Sequence, residues 1–420
     1  MFKESLLDKI LYRIKKLIPK SVFNTLAPMY HSLLAYAGAV LYRFPSKDMT
    51  VIGITGTKGK STVTYLVSKI LEANNEGVAA IGSLGYKIKD REWPNTLKMT
   101  MPGRFKLQKF LSQAKKAGCK YVVLEVTSEG IKQKRHLGIT FDCAVFTNLH
   151  KEHIESHGSF EKYTEAKQEL FKAAKNIHVI NSDDPNFELF SKYPSEKTIF
   201  YGIRTGEMRA ANIQKSNEET TFNVYGTEFK INLAGEFNIL NCLAALAVGA
   251  MYGIELPEAR HILESVRSIP GRMEFVQRKP FSVVVDYAHT PDSLELVYKT
   301  LKNNSRLICV LGAAGGGRDK WKRPEFGKIA DTYCDEIILT NEDPFEESPE
   351  KILDEISSGV KAHEPVRIMD RREAIKKAIT GAQPGNTVII TGKGSEPSMA
   401  IAGNRKIPWS DKKIAEEILK

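Results

Sequence analysis
Three features of this chain predict an α/β fold built from two alternating units. Apolar β-rich runs alternate with helix-patterned stretches, and the alternation occurs twice. A glycine-bearing loop joins the first core strand to a helix. Polar clusters gather just after the strands, where open parallel sheets hold their ligands. The expected architecture is a central P-loop domain with a mostly parallel sheet and a smaller Rossmann-like C-terminal domain, preceded by a short helical segment. At 420 residues the chain exceeds one ordinary core, and the expected divisions are 1–48, 49–269 and 270–420.

The N-terminal segment reads as helical because Leu6, Leu7, Ile10, Leu11, Ile14, Leu17 and Ile18 share one face, opposed by Lys9, Arg13, Lys16 and Lys20. Residues 21–42 carry no formal charge, although Asn24, Thr25, Pro28, His31, Ser32 and Gly38 interrupt their apolar character. Neither the compact core nor the cleavage site of a signal peptide is clear. Residues 1–43 are therefore expected to pack on the body of the protein, to touch a membrane surface, or to span it. Phe44-Pro-Ser-Lys-Asp48 reads as a linker. Strands follow at Val51–Thr55, Tyr121–Val126, Cys143–Thr147 and His178–Asn181. Residues 200–233 look strand-rich, with candidates at Thr220–Val224 and Phe229–Leu233, before the apolar helix Asn238–Tyr252.

Ile269-Pro-Gly-Arg272 makes the break into the second unit. Its expected strands are Ser282–Asp286, Leu307–Leu311, Glu336–Thr340, Val366–Met369 and Thr387–Thr391. Four polar clusters fall at strand ends: Asp286–His289, Gly312–Arg323, Asn341–Pro344 and Gly392–Glu396.

The stretch Val51-Ile-Gly-Ile-Thr-Gly-Thr-Lys-Gly-Lys-Ser-Thr62 carries the clearest chemistry. A loop with Gly53, Gly56 and Gly59 turns backbone N–H groups toward one point at a helix N-terminus, which attracts negative charge. Lys60 would neutralise β- and γ-phosphate charge, and the Ser61 or Thr62 hydroxyl would ligate magnesium. The common pattern, Gly-x-x-x-x-Gly-Lys-Ser/Thr, needs its first glycine where Ile54 stands. Gly53 is one place out of register.

The net charge of +11 fits anionic substrates, and also weak affinity for nucleic acid or a membrane surface. No aromatic–basic interleaving occurs, so no nucleic-acid partner is expected. Cys119, Cys143, Cys242, Cys309 and Cys334 are far apart with no CxxC pair, which disfavours a zinc ribbon and makes a reducing, cytoplasmic setting the simplest reading. Glu125 ends one strand and His153 follows another. Together, facing a phosphate loop, they could complete a magnesium site. Taken singly, His153 reads as a surface or capping histidine, and Lys167 as a solvated helix lysine.

In combination these residues resemble the Mur ligase family from about Val51 to the C-terminus. The matching segments are Gly56-Thr-Lys-Gly-Lys-Ser-Thr62, Glu125-Val-Thr-Ser128, Thr147-Asn148-Leu149 with His153 and His157-Gly158, Ala166-Lys167, Gly235-Glu-Phe-Asn238 with Asn241, and Pro270-Gly-Arg-Met-Glu274. Asp286-Tyr-Ala-His-Thr-Pro291, Arg318-Asp-Lys320, Lys322-Arg-Pro324 and Gly392-Lys-Gly394 with Glu396 continue the series. The family's glycine loop has this shorter spacing. The resemblance implies an ATP-dependent amide ligase of peptidoglycan synthesis, working through an acyl phosphate, with ATP and Mg2+ as cofactors and a muramyl-peptide acceptor and a free amino acid as partners.

The resemblance also implies roles. Lys60, Lys167, His153 and Glu125 are the catalytic set. Gly56, Thr57, Lys58, Gly59, Lys60, Ser61 and Thr62 cradle phosphate. Asn238 and Asn241 lie on the adenine side, and Arg272, Asp286 and His289 lie where the C-terminal domain closes on ATP and excludes water. Ser61, Glu125, His153 and a carbamylated Lys167 are the metal ligands. Thr100, Thr127, Gln133 and Arg135 hold the acceptor, whereas Arg318, Asp343, Gly392 and Glu396 form the amino-acid pocket.

Three departures qualify these roles. Residues 1–48 stand where the family has an α/β domain for the uridine nucleotide, so UDP is held differently or the acceptor is lipid-linked. Family members that add diaminopimelate carry Asp-Asn-Pro-Arg where this chain has Glu342-Asp-Pro-Phe345. A phenyl ring cannot bind the distal carboxylate, so diaminopimelate is disfavoured unless Arg323 or Lys320 substitutes. Lysine or a smaller amino acid stays open. The family's Ser-Ser-His and Gly-Lys-Gly-His-Glu become Thr127-Ser128-Glu129 and Gly392-Lys-Gly-Ser395-Glu396. Alternatives are a folylpolyglutamate or cyanophycin type of ligase, or an inactive nucleotide-binding scaffold.

Overall fold
The computed structural model describes residues 20–97, 99–152, 154–215, 219–302, 305–403 and 405–420. The apolar face from Leu6 to Ile18 and the candidate ligand His153 lie outside the described residues. The chain divides into two compact units. One runs to Ile231 and includes Glu236–Ser265; the other comprises Asn232–Gly235 and Val266–Lys420.

Among the described residues, nine strands form the main sheet of the first unit. They are β1 (Thr50–Thr55), β2 (Gly77–Gly82), β3 (Gly85–Ile88), β4 (Arg91–Trp93), β5 (Cys119–Glu125), β6 (Cys143–Phe146), β7 (Ile177–Asn181), β8 (Lys197–Gly202) and β9 (Met208–Arg209), ordered β4-β3-β2-β5-β1-β6-β7-β8-β9. All neighbours pair in parallel except β2 with β3 and β3 with β4. Parallel strands covered on both faces need continuous apolar sequence, and Val51, Ile52 and Ile54 of β1 are fully buried. The chain leaves β1 with β5 on one side and β6 on the other. The loop after β1 therefore sits at a switch point, where a crevice opens beyond the strand ends.

Three further strands, β10 (Ala211–Lys215), β11 (Thr220–Val224) and β12 (Thr227–Ile231), make an antiparallel sheet. The helix Lys20–Leu41 packs through small residues against the helix Arg104–Lys116. A Cβ on Gly38 would stand 3.6 Å from both Gln108 and Phe105. No helix among the described residues is long and apolar enough to cross a membrane.

In the second unit, β13 (Glu274–Gln277), β14 (Ser282–Asp286), β15 (Leu307–Leu311), β16 (Glu336–Leu339), β17 (Val366–Arg367) and β18 (Thr387–Thr391) take the order β13-β14-β18-β15-β16-β17. Only β13 pairs antiparallel. A small hairpin, β19 (Ser398–Ile401) and β20 (Arg405–Pro408), precedes the C-terminal helix Asp411–Ile418.

Three expectations are corrected. Gly53 belongs to β1 and not to the loop. A Cβ there would lie 2.6 Å from Leu170, so the glycine admits the helix Phe160–Ala173 onto the sheet. The strand expected at Val366–Met369 stops at Arg367, because after Ile368 donates its N–H to Leu339 the chain turns into the Asp370 helix cap. Finally, the cysteines are not all reduced. Cys309 and Cys334 form a disulfide, while Cys119, Cys143 and Cys242 are free and buried. Cys309 lies in β15 opposite Ile337 of β16, and Cys334 caps the helix Lys322–Tyr333 that leads into β16, with the two Cα atoms 6.0 Å apart.

Replacing Gly53 by alanine drives a methyl into Leu170. Gly53→Ala is expected to lower stability by about 1–3 kcal/mol. Nucleotide affinity should stay unchanged, which thermal unfolding and a binding titration will check together.

Candidate active site
β1 delivers the chain to a loop whose shape depends on two left-handed or extended positive-φ positions, Gly56 (φ 146°) and Gly59 (φ 81°). Both are also approached too closely for a side chain. A Cβ on Gly56 would overlap the Thr147 hydroxyl, and one on Gly59 would meet Asn241 Oδ1 at 2.5 Å. The helix Lys60–Leu71 starts immediately after the second glycine.

The loop is braced from the end of β6. Thr147 Oγ1 donates to the Lys58 carbonyl at 2.6 Å and Asn148 Nδ2 to the same oxygen at 3.2 Å. Lys58 N returns a bond to Asn148 Oδ1 at 2.8 Å, and Thr57 N donates to the Asn148 carbonyl at 2.8 Å. Thr57 Oγ1 accepts from His150 N at 3.0 Å and pairs with the Tyr163 hydroxyl at 3.0 Å. Lys60 Nζ donates to the Gly56 and Thr57 carbonyls at 3.0 and 2.9 Å, and Thr62 is buried on the first helical turn.

Lys167 reaches the same loop from the opposite side. It is 2% exposed, and its Nζ donates to the Gly56 carbonyl at 2.6 Å. Burial, followed by the repulsion of Lys60 and Lys58, drives its pKa well below the ordinary lysine value, against a partial pull from Glu152. The expectation of a solvated helix lysine is therefore overturned. Seen from its own helix the residue looks exposed, but the phosphate loop covers it.

Glu125, at the end of β5, is buried. Its Oε1 accepts from Ser61 Oγ at 3.0 Å and from Ser83 Oγ at 3.4 Å, and its Oε2 from Ser83 N at 2.6 Å. Ser83 pairs through its hydroxyl with Thr100 at 2.8 Å. Ser83 was missed in the sequence. It follows β2, whose small residues Val-Ala-Ala lack the bulky β-branched pattern that marks the other strands.

Beyond Thr100, the remaining acceptor candidates gather around the helix Ser128–Lys132. Thr127 caps it by accepting from Gly130 N at 3.0 Å. Arg135 donates to Gln133 Oε1 at 2.8 Å and to the Met101 carbonyl. Arg104, unremarked in the sequence, donates to the Gln133 carbonyl from the first turn of its helix. Burial and the neighbouring Arg135 pull its pKa down to about 10. Two guanidiniums so placed favour an anion. Asn238 and Asn241 are buried on the first turns of the helix Glu236–Met251 and joined at 3.0 Å.

In the second unit the four strand-end clusters converge on one pocket, lined by Tyr287, His289, Arg318, Glu342, Asp343 and Gly392 among others. Lys393 is wholly buried beneath it, 2.9 Å from both Asp343 oxygens and 2.6 Å from Glu396. Burial pulls its pKa down, but Glu396, Asp343 and Glu342 outweigh that and hold it above the usual value. Among the described residues, no hydrogen bond or ion pair closes on Glu342 or on Arg318. Burial pushes the Glu342 pKa up, opposed by Lys393 and Arg371. Glu342 Oε2 also lies where a Cβ on Gly392 would come within 2.5 Å.

Asp286 is committed to backbone, accepting from Met273 N and Ala288 N at 2.7 Å each. His289 Nδ1 lies 2.8 Å from the Tyr287 carbonyl, and the Arg272 guanidinium lies over the Tyr287 ring at 4.5 Å. Arg323, offered above as a substitute cation, is buried against Glu355 at 2.6 Å and Glu347 at 3.0 Å. Lys320 also lies on Glu347. Phe345 turns at φ 53° and lays its ring against Gly316.

Among the described residues no three His, Cys, Asp or Glu side chains cluster as a ready-made metal cage. The Ser61–Glu125 pair of hard oxygens still suits magnesium, which is commonly held by one or two carboxylates together with substrate phosphate and water.

Comparison with known proteins matches residues 54–249 to the Mur ligase middle domain and residues 271–394 to the Mur ligase glutamate ligase domain. A UDP-N-acetylmuramoyl-L-alanyl-D-glutamate--2,6-diaminopimelate ligase of Caldanaerobacter subterraneus is 39% identical over 396 residues, which are 92% of this chain and 81% of the relative. A UDP-N-acetylmuramyl-tripeptide synthetase of Roseiflexus is 35% identical over 416 residues, with the same two coverages. A solved diaminopimelate ligase structure superposes with a TM-score of 0.64 at 31% identity, covering 92% of this chain and 82% of that one. The folylpolyglutamate synthase of Mycobacterium tuberculosis shares the fold, with a TM-score of 0.69 at 17% identity over 86% of this chain and 92% of its own. The phosphate loop with its brace, the buried lysine behind it and these matches lead to one assignment: the chain belongs to the Mur ligase family and is an ATP-dependent ligase.

Proposed function
We propose that this ligase joins the carboxylate of a muramyl-peptide acceptor to the amine of a free amino acid, by way of an acyl phosphate, in peptidoglycan precursor synthesis. The functional division would be residues 49–269 for ATP and acceptor and 270–420 for the amino acid. The observation that carries this reading is the phosphate loop with Ser61 held on the buried Glu125 carboxylate and Lys167 on the Gly56 carbonyl.

Lys60 would meet the phosphate oxygens, with the loop N–H groups supplying further donors. Magnesium, held by Ser61, Glu125 and His153, would neutralise phosphate charge. A lysine whose pKa is driven far down presents a neutral, nucleophilic amine, the state in which carbon dioxide adds to form a carbamate. Carbamylation of Lys167 would turn a buried neutral amine into an anionic ligand, with release of the amine proton. On the acceptor side Thr100, Thr127, Gln133 and Arg135, joined by Arg104, offer hydroxyls, an amide and two guanidiniums to a polyanionic peptide. Asn238 and Asn241 would serve the adenine side, and Arg272, Asp286 and His289 the closed state.

In the second pocket Arg318 and Glu342 are opposite charges with no direct hydrogen bond or ion pair among the described residues, a pattern suited to the carboxylate and ammonium of a zwitterion. Phe345 offers nothing to a second carboxylate, and Arg323 is already bound by two glutamates. The incoming amino acid is therefore lysine or a smaller residue in preference to diaminopimelate, which Phe345 disfavours.

Phosphate release from ATP across a panel of muropeptides and amino acids tests the reading. Turnover should require both an acceptor and a monocarboxylate amino acid; ATP binding without turnover under every pairing would sink it. Phe345→Arg should raise turnover with diaminopimelate about tenfold or more, since a bidentate guanidinium–carboxylate pair contributes about 1.5–3 kcal/mol. Lys167→Met should lose ligation while keeping ATP affinity.

The same variant should gain stability relative to the parent in carbon-dioxide-free buffer as pH falls from above 10 to 8. The unfolded chain takes up the lysine proton near its ordinary pKa, but the folded chain resists it. Equal slopes of unfolding free energy against pH would show that Lys167 is not held neutral.

A further inference from the structure
The helix Lys20–Leu41 is built inside out. Its inward face carries the small residues Ala35, Gly38 and Ala39, which let it lie close on the helix Arg104–Lys116 and on Gly138, beside the half-buried Tyr30, His31 and Leu34. Its outward face carries Leu26, Met29, Leu33, Tyr36 and Val40, spaced three and four apart and 49–70% exposed. An ordinary surface helix would place lysine and glutamate there. Here the helix holds no charged residue after Lys20.

We propose that this face docks on the headgroup region of an anionic lipid bilayer. A continuous stripe of large apolar side chains with an aromatic among them is what an interfacial helix buries at the boundary between headgroups and acyl chains. The net charge of the surrounding sequence has the matching sign. Residues 1–47 contain eight lysines and arginines against only Glu4 and Asp8, and Lys20 and Arg43 flank the stripe. Each basic residue near such a surface strengthens the attraction. The helix lies on the bilayer and does not cross it, since no described helix is long and apolar enough to span. A second copy of the chain fits less well. A two-fold contact through this face would bring together two segments of the same net positive charge.

Flotation of the full-length protein decides the matter. Vesicles of phosphatidylcholine with phosphatidylglycerol should carry it upward, phosphatidylcholine alone much less, and high salt should release it. The double variant Met29→Glu, Leu33→Glu should lose about tenfold or more in partitioning, with unfolding temperature and ATP affinity unchanged. Absence of flotation, or flotation that the variant leaves intact, would overturn the proposal. Sedimentation showing a dimer that the variant dissolves, without flotation, would give the face to a second copy instead. A marked fall in the variant's unfolding temperature without any lipid binding would give it to the chain's own first residues. Either result also overturns lipid docking.

Discussion

The carbonyl oxygen of Lys58 anchors the first unit's site. A tight glycine loop leaves its backbone polar groups without helix or sheet partners, and buried ones must be satisfied. Thr147 and Asn148 do this from the end of β6, and Asn148 also receives the Lys58 N–H. The loop cannot shift without breaking that set. Lys60, Ser61 and the helix N-terminus are therefore held against β1, and Asn241 is pressed against Gly59. Parallel pairing of β1 with β6 is what brings the brace within reach, so sheet register and phosphate-loop shape are one constraint.

The two units treat buried charge in opposite ways. Lys393 and Arg371 are paired with carboxylates: Lys393 with Asp343 and Glu396, and Arg371 with Asp411 at 2.9 and 2.7 Å. Arg371 also donates to the Thr391 carbonyl at 2.7 Å, which ties the C-terminal helix to the end of β18 below Gly392. These pairs shape a pocket, since removing one partner would strand a buried charge. Lys167 has instead two cations for neighbours, only a partial pull from Glu152, and a carbonyl for a partner. That arrangement is poor for stability and good for a reactive amine. Arg318 and Glu342 line the same pocket without a direct hydrogen bond or ion pair among the described residues.

Sequence and fold agree where burial is two-sided. Ser282–Asp286, Leu307–Leu311 and Thr387–Thr391 are continuous apolar runs because neighbouring strands and helices cover them fully, and their bounds agree with the structure. The agreement ends at β2 and at the antiparallel edge strands β3 and β4, where small or polar residues suffice. Gly53 was mistaken for a loop residue because a glycine admitting a neighbouring helix looks the same in sequence as one making a turn. Ser83 and Arg104 were missed since each acts on a partner far away in the chain.

By itself the sequence determined the two-sided strands and the helices between them, the phosphate loop at the end of the first strand, and the polar clusters that follow the later ones. These are local properties, set by side-chain periodicity and by glycine at positions of unusual backbone conformation. Only the tertiary structure decided that Lys167 is buried with its pKa pushed down, that Arg323 is already committed to two glutamates, and that Cys309 meets Cys334. It alone decided that the uncharged stretch after Lys20 turns its large side chains outward. Each of these depends on which distant segment lies opposite, and pairing of strands far apart in the chain sets that.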